Sequence, residues 1–154
     1  MNVTIEDRPE LRVATVHHVG PYHRISEAFQ RLDDIAGPAG LLQLPDAAML
    51  AIYHDDPGTT PAAELQSDAG IAVPNGVPLP KGLGEERLAG GRYAHTTHVG
   101  PYTGLGDVWS RLMGQWLPAS GHRVLPGSSY EVYRNNPTNT PPAQLRTDLY
   151  LPIA

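Results

Sequence analysis

Shifted by eighty residues, the chain matches itself without a gap: residues 12–73 lie over 92–153, and 18 of the 62 pairs are identical. Unrelated stretches of that length would share roughly four. The matches include His18-Val19-Gly20-Pro21-Tyr22 with His98-Val99-Gly100-Pro101-Tyr102, Arg31-Leu32 with Arg111-Leu112, and Asp68 with Asp148. A period this long, used only twice, is too coarse for a solenoid and describes a duplicated half-domain. Whatever one half folds into, the other must fold into as well.

The repeated unit can be read from its patterning. "RVATVHHV" and "RYAHTTHV" are rich in β-branched and aromatic residues and are stopped by Gly-Pro, which predicts a strand ending in a turn. Ile25, Ala28, Phe29, Leu32, Ile35 and Ala36 then recur at helical spacing, as do Leu105, Val108, Trp109, Leu112 and Trp116. A second strand follows, then a loop, then a short helical turn in which Thr60 or Thr140 is the expected N-cap and Pro61 or Pro141 the first helical residue. A final strand closes the unit. With "NVTIEDR" and "GEERLAG" as leading strands, each half reads β-β-α-β-β, an α+β fold. The first repeat is residues 1–73, the second 85–154, and the Pro/Gly-rich stretch 74–84 is the expected connector.

Composition narrows the function classes. The chain of 154 residues has no cysteine, which removes disulfides, thiolate metal sites and cysteine nucleophiles and suits a reducing compartment, so a cytoplasmic location is expected. Sixteen acidic against eleven basic residues, with no Lys/Arg run, argue against direct nucleic-acid binding, and no apolar stretch is long enough to span a membrane. The seven histidines show no ligand spacing, so no metal and no cofactor are expected. Ser128 and Ser129 lie outside any nucleophile elbow, and "GLGEER" lacks the third glycine of a dinucleotide fingerprint.

The two halves act as an internal control, because positions needed for folding agree while a ligand site can need a residue in one half only. Glu131 is the informative difference, since its counterpart is Ala51. Alternation groups Glu131 with Ser129 and Tyr133, and Ala51 with Met49 and Tyr53, while Leu50/Ile52 and Tyr130/Val132 form the face expected beneath helices. A face of Met49, Tyr53, Tyr133 and one carboxylate fits the wall of a small-molecule cleft that favours a hydrophobic cation. Tyr22 and Tyr102, at the strand-to-helix corner, can cap the core or face the cleft, and are candidate ligand contacts with the residues above. Trp109 and Trp116 replace the smaller Phe29 and Ala36, so the second copy adds aromatic bulk.

On "HVGPY" after a strand in both halves, and on the closing run "YEVYRNNPTNTPPAQLRTDLYLPI", the chain resembles the GyrI-like (SbmC) family of small-molecule-binding domains, which includes effector-binding domains of AraC-type and MerR-type regulators. The resemblance implies tandem SH2-like β-α-β-β units about a pseudo-twofold axis with a central ligand cleft. It places the family's cation-contacting glutamate on Glu131; no alignable motif fixes the aromatic partner that hydrolase-like relatives use, for which Tyr22, Tyr53, Trp109, Trp116 and Tyr133 are available. It also leaves two alternatives: a hydrolase opening cyclopropane-bearing electrophiles with Glu131 as its catalytic carboxylate, and an inhibitor of DNA gyrase acting by protein contact. No helix-turn-helix segment accompanies the domain, which argues against a one-component transcription factor.

Overall fold

A computed structural model describes residues 1–154 as two compact units, one of residues 9–90 and one of residues 1–8 with 91–154. The first unit contains β2 (Leu11–Val19), α1 (Ser26–Ala36), β3 (Ala48–Tyr53), β4 (Gln66–Ala72) and β5 (Gly84–Leu88), with strands paired antiparallel in the order β3-β4-β2-β5. The second contains β1 (Thr4–Arg8), β6 (Gly91–Val99), α2 (Leu105–Arg111), α3 (Leu117–Ser120), β7 (Ser129–Tyr133) and β8 (Arg146–Pro152), in the order β7-β8-β6-β1. Each unit is thus an antiparallel sheet with helix on one face, a mixed α+β fold. No helix is long and apolar enough to cross a membrane.

The register repeats as the sequence does. Val13 opposes Ala72 and Val19 opposes Gln66 in one unit, and Tyr93 opposes Pro152 and Val99 opposes Arg146, each eighty positions on, in the other. The shared phrase forms the corner after β2 and β6. Gly20 and Gly100 adopt φ values of 129° and 141°, which a side chain would resist, and their N–H groups donate to Leu65 O and Leu145 O at 2.8 Å. The His18 and His98 Nε2 atoms lie 3.1 and 2.9 Å from the carbonyls of Pro21 and Pro101, and Tyr22 and Tyr102 pack on Tyr53 and Tyr133.

The leading strands differ from the sequence reading. The strand β1 pairs with β6 and β5 pairs with β2, so each leads its own repeat in sequence but joins the sheet of the other. Local chemistry explains why neither folds back on the strand that follows it. Two residues separate β1 from β2 and β5 from β6, and two-residue hairpins need a positive φ at the first of them. Those positions are Pro9, whose ring fixes φ negative, and Ala89; among non-glycine residues only Asp46 has positive φ. Repeats divided at 73 and 85 therefore do not coincide with the packed units. The expected connector is also more than a spacer: Val77, Leu79 and Leu83 pack on the first core, and Arg12 Nη1 donates to Pro74 O and Val77 O at 2.9 and 2.8 Å.

The helix-covered face is the other revision. The helix α1 lays Ala28, Leu32 and Ala36 on Ala14, Val16, Ala69 and Ile71, with Met49 at the margin. These are cross-strand neighbours of Met49 and Ala51, so the face carrying Met49, Ala51 and Tyr53 lies under the helix, and Leu50 and Ile52 point the opposite way. Alternation could not choose between the faces, because Leu50, Ala51 and Ile52 are all fully buried. The short turns Ala62–Glu64 and Pro142–Gln144 are single 3-10 turns capped by Pro61 and Pro141, not by the threonines.

Gly70 on β4 measures how closely the far face is packed. A Cβ there would stand 2.5 Å from Val13 Cγ1 and 3.3 Å from Leu50 Cδ1, both in fully buried side chains. Gly70→Ala is expected to destabilise the protein by about 1–3 kcal/mol through overpacking, read as a lower midpoint in urea.

Candidate functional site

Glu131 sits mid-strand on β7, opposite Leu149 of β8, and is 2% exposed. Leu149 is packed by Leu105 and Val108 of α2 with Trp109, Tyr102 and Tyr133 around them, so the carboxylate lies beneath the helix and not on an open face. A carboxylate removed from water needs donors. Trp109 Nε1 donates to Oε2 at 2.9 Å and the Tyr133 hydroxyl donates to Oε1 at 2.8 Å. Tyr102 packs at a tilt against Tyr133 with centroids 5.3 Å apart, and burial followed by the Glu131 charge raises its phenol above the ordinary range. Thr147, opposite Tyr133 on β8, is fully buried with its hydroxyl unpaired.

The other unit shows what the carboxylate changed. There Ala51 stands at the position of Glu131 and Phe29 at that of Trp109, so the indole N–H and the carboxylate arrive together in one half. That paired difference was the signal for the Trp109–Glu131 contact. Tyr22 and Tyr53 pack at a tilt with centroids 4.7 Å apart, and the Tyr22 hydroxyl donates to Asp55 O at 2.7 Å and accepts from Asp55 N–H at 3.1 Å, which fastens the corner. Met49 packs on the α1 core. Trp116 packs on Ala94, Leu112, Leu151 and Ile153 and stacks on His122, away from the Glu131 cluster.

The cover over Glu131 is irregular. After α2 the helix continues as a π turn, Leu112–Trp116, before α3. Pro118 accounts for it: without an N–H and with a ring that crowds the carbonyl four residues earlier, that of Gly114, it cannot continue an α ladder.

Sequence reasoning missed two clusters on the sheet faces turned away from the helices. In the second unit Tyr93, Tyr130 and Tyr150 pack together, with the Arg8 guanidinium 4.2 Å from the Tyr150 centroid and its Nε donating to the Tyr130 hydroxyl at 3.1 Å. Burial pushes Tyr93 and Tyr150 up to about 12. In the first unit His17 Nδ1 lies 2.7 Å from one oxygen of Asp68 and His54 Nε2 lies 2.6 Å from the other. This trio, whose ligand atoms all fall within 4.8 Å, could hold a metal ion, contrary to the expectation from histidine spacing. His17 is on β2, Asp68 on β4 and His54 just past the end of β3, so linear spacing carried no trace of them. A groove of about 330 Å3, lined by Arg12, Asp46, Asn75 and Arg87 among others, includes none of the expected site residues.

Comparison with known proteins fits this architecture. The model of the GyrI-like small-molecule-binding domain matches residues 1–154, and the chain belongs to that family. It is 33% identical over 138 residues to a DNA gyrase inhibitor of Yersinia enterocolitica, covering 86% of this chain and 85% of that one. Among solved structures, it is similar to the EcmrR C-terminal domain, with a TM-score of 0.77 at 19% identity over 99% of this chain and 97% of that one. It is likewise similar in fold to SAV2435 bound to tetraphenylphosphonium, with a TM-score of 0.72 at 13% identity over 100% and 94% of the two chains.

Two outcomes are expected. Trp109→Phe removes a hydrogen bond to a buried carboxylate and should cost about 1.5–3 kcal/mol in urea unfolding. The second concerns pH in chelator-treated protein. The hydrogen bond to Asp68 outweighs burial and raises His54 above 6.5, so its stabilisation is complete below 6.5 and is lost as pH rises through the raised value. Burial would raise Asp68, but the bonds from His54 and His17 prevail and hold it below 3.8, so its stabilisation is present above 3.8 and is lost as pH falls through the lowered value. The joint contribution is greatest between pH 3.8 and 6.5, and urea midpoints should show the alkaline decline in the natural protein but not in His54→Arg.

Proposed function

We propose that the protein binds hydrophobic cations, with Glu131 as the anionic anchor and Tyr133, Tyr102 and Trp109 as aromatic contacts. The observation that carries this reading is the buried Glu131 carboxylate held by two side-chain donors among aromatic rings. A cation among those rings would gain direct charge pairing and the attraction of the ring faces, in a medium where both exceed their strength in water. The unpaired Thr147 hydroxyl beside Tyr133 is a further polar contact for a ligand. The bound tetraphenylphosphonium in the SAV2435 structure adds support by likeness of fold. The equal register of the two units supports their descent from one duplicated SH2-like element.

Since Glu131 is 2% exposed beneath α2, binding requires that helix to shift and the Trp109 bond to break. The π turn that follows α2 is a natural place for such movement, and apparent affinity falls by the fraction of molecules that are open. A cation entering this site will quench Trp109 emission. In fluorescence titration with tetraphenylphosphonium, Glu131→Gln should weaken binding about 10- to 150-fold, the worth of a hydrogen-bonded charge. Equal affinity of the two proteins would refute the anchor. A second reading, gyrase inhibition by protein contact, draws on the name of the Yersinia relative, and loss of supercoiling on adding the protein to gyrase would support it.

A further inference from the structure

We propose that the unit of residues 9–90 carries a site for one divalent transition-metal ion of the zinc type, held by His17, His54 and Asp68. The three side chains converge from β2, β4 and the residue that follows β3, on the sheet face turned away from α1. His17 and Asp68 are directly opposed on β2 and β4; Ile52 of β3 also opposes Asp68, and His54 lies two residues beyond it on the same side. The imidazole centroids are 6.3 Å apart and flank the carboxylate.

The donor set is chemically selective. Two imidazoles with one carboxylate suit zinc, cobalt and their neighbours, and disfavour calcium or magnesium, which require oxygen. Metal bonds of about 2.0–2.1 Å in a tetrahedron place ligand atoms about 3.3 Å apart. The histidines now meet different oxygens of Asp68, at 2.7 and 2.6 Å, so the three ligand atoms would rearrange around the ion on binding, and the ring protons shared with Asp68 would leave. Asp68 is the inner ligand, its side chain 3% exposed, whereas those of His17 and His54 are 49% and 26% exposed. An ion would therefore meet solvent on one side, with room for a water as its fourth ligand. Asp55 and Glu86 bring further negative charge toward His54.

The second unit supplies the control. It keeps the carboxylate, as Asp148, but gives it Thr97 Oγ1 at 2.6 Å, His95 Nε2 at 3.0 Å and Arg134 Nε at 3.5 Å. Thr97 and Arg134 occupy the positions of His17 and His54. A carboxylate here is thus satisfied without a histidine at either position. Where one unit places a permanent guanidinium, the other places two bases whose lone pairs can receive a cation of the same sign.

The test copies one unit into the other. The variant His17→Thr/His54→Arg retains a partnered Asp68 and is expected to fold. After chelator treatment, Co2+ titration of the tag-free natural protein should develop the visible absorption of a tetrahedral nitrogen/oxygen site, saturating at one equivalent. The double variant should lose that absorption, with affinity lowered more than about 100-fold, beyond the effect of losing an outer-shell partner. Zn2+ should raise the melting temperature of the natural protein and not that of the variant. His17→Gln, altering a half-exposed side chain only, provides the same comparison should the double variant fail to fold, and should weaken Co2+ binding at least tenfold. Absence of cobalt absorption in the natural protein, or an identical spectrum and stoichiometry in the variants, would overturn the site and leave the trio as a hydrogen-bonded carboxylate.

Discussion

A carboxylate placed under a helix must be satisfied by what covers it, and this requirement organises the second unit. Glu131 faces α2, so the helix has to bring a donor as well as apolar bulk. Trp109 brings both, its ring lying among Leu105, Val108 and Leu149 while its N–H reaches Oε2. The same carboxylate orders Tyr133, which in turn positions Tyr102. In the first unit the equivalent strand position is Ala51, no donor is needed, and Phe29 suffices. The contrast separates what the fold demands of each half from what one half has added to it.

Much of the fold was legible because the duplication let each half check the other. The corner after β2 and β6, the helix stripe of Ala28, Leu32 and Ala36, and the α+β class all followed from patterns present twice. Two features were hidden for physical reasons. Which face of the sheet meets the helix is invisible to alternation when residues of both faces, such as Leu50 and Ala51, are buried. The pairing of β1 and β5 depended on turn chemistry at Pro9 and Ala89, and strand propensity says nothing about partners.

The candidate site was legible in its anchor and less so in its surroundings. Glu131, Tyr133, Tyr102 and Trp109 do converge, while Trp116 packs elsewhere and Met49 belongs to the α1 core. Asp68 and Asp148 matched in the self-alignment, yet their environments could not be read from spacing, since His17 approaches from β2 and His54 and Arg134 from the ends of β3 and β7. Cross-strand diagonals escape a linear scan, because strands brought side by side can lie tens of residues apart in the chain.

The exchanged leading strands bear on how the protein is made. Residues 9–90 form a contiguous unit and can close as soon as β5 leaves the ribosome. The segment before them is synthesised first, yet its sheet partner β6 begins only at Gly91. The strand β1 must therefore wait without its sheet partner while the whole of residues 9–90 is made. Its charged sequence, Glu6-Asp7-Arg8, suits that interval, since charge on an unpaired edge discourages association with other chains.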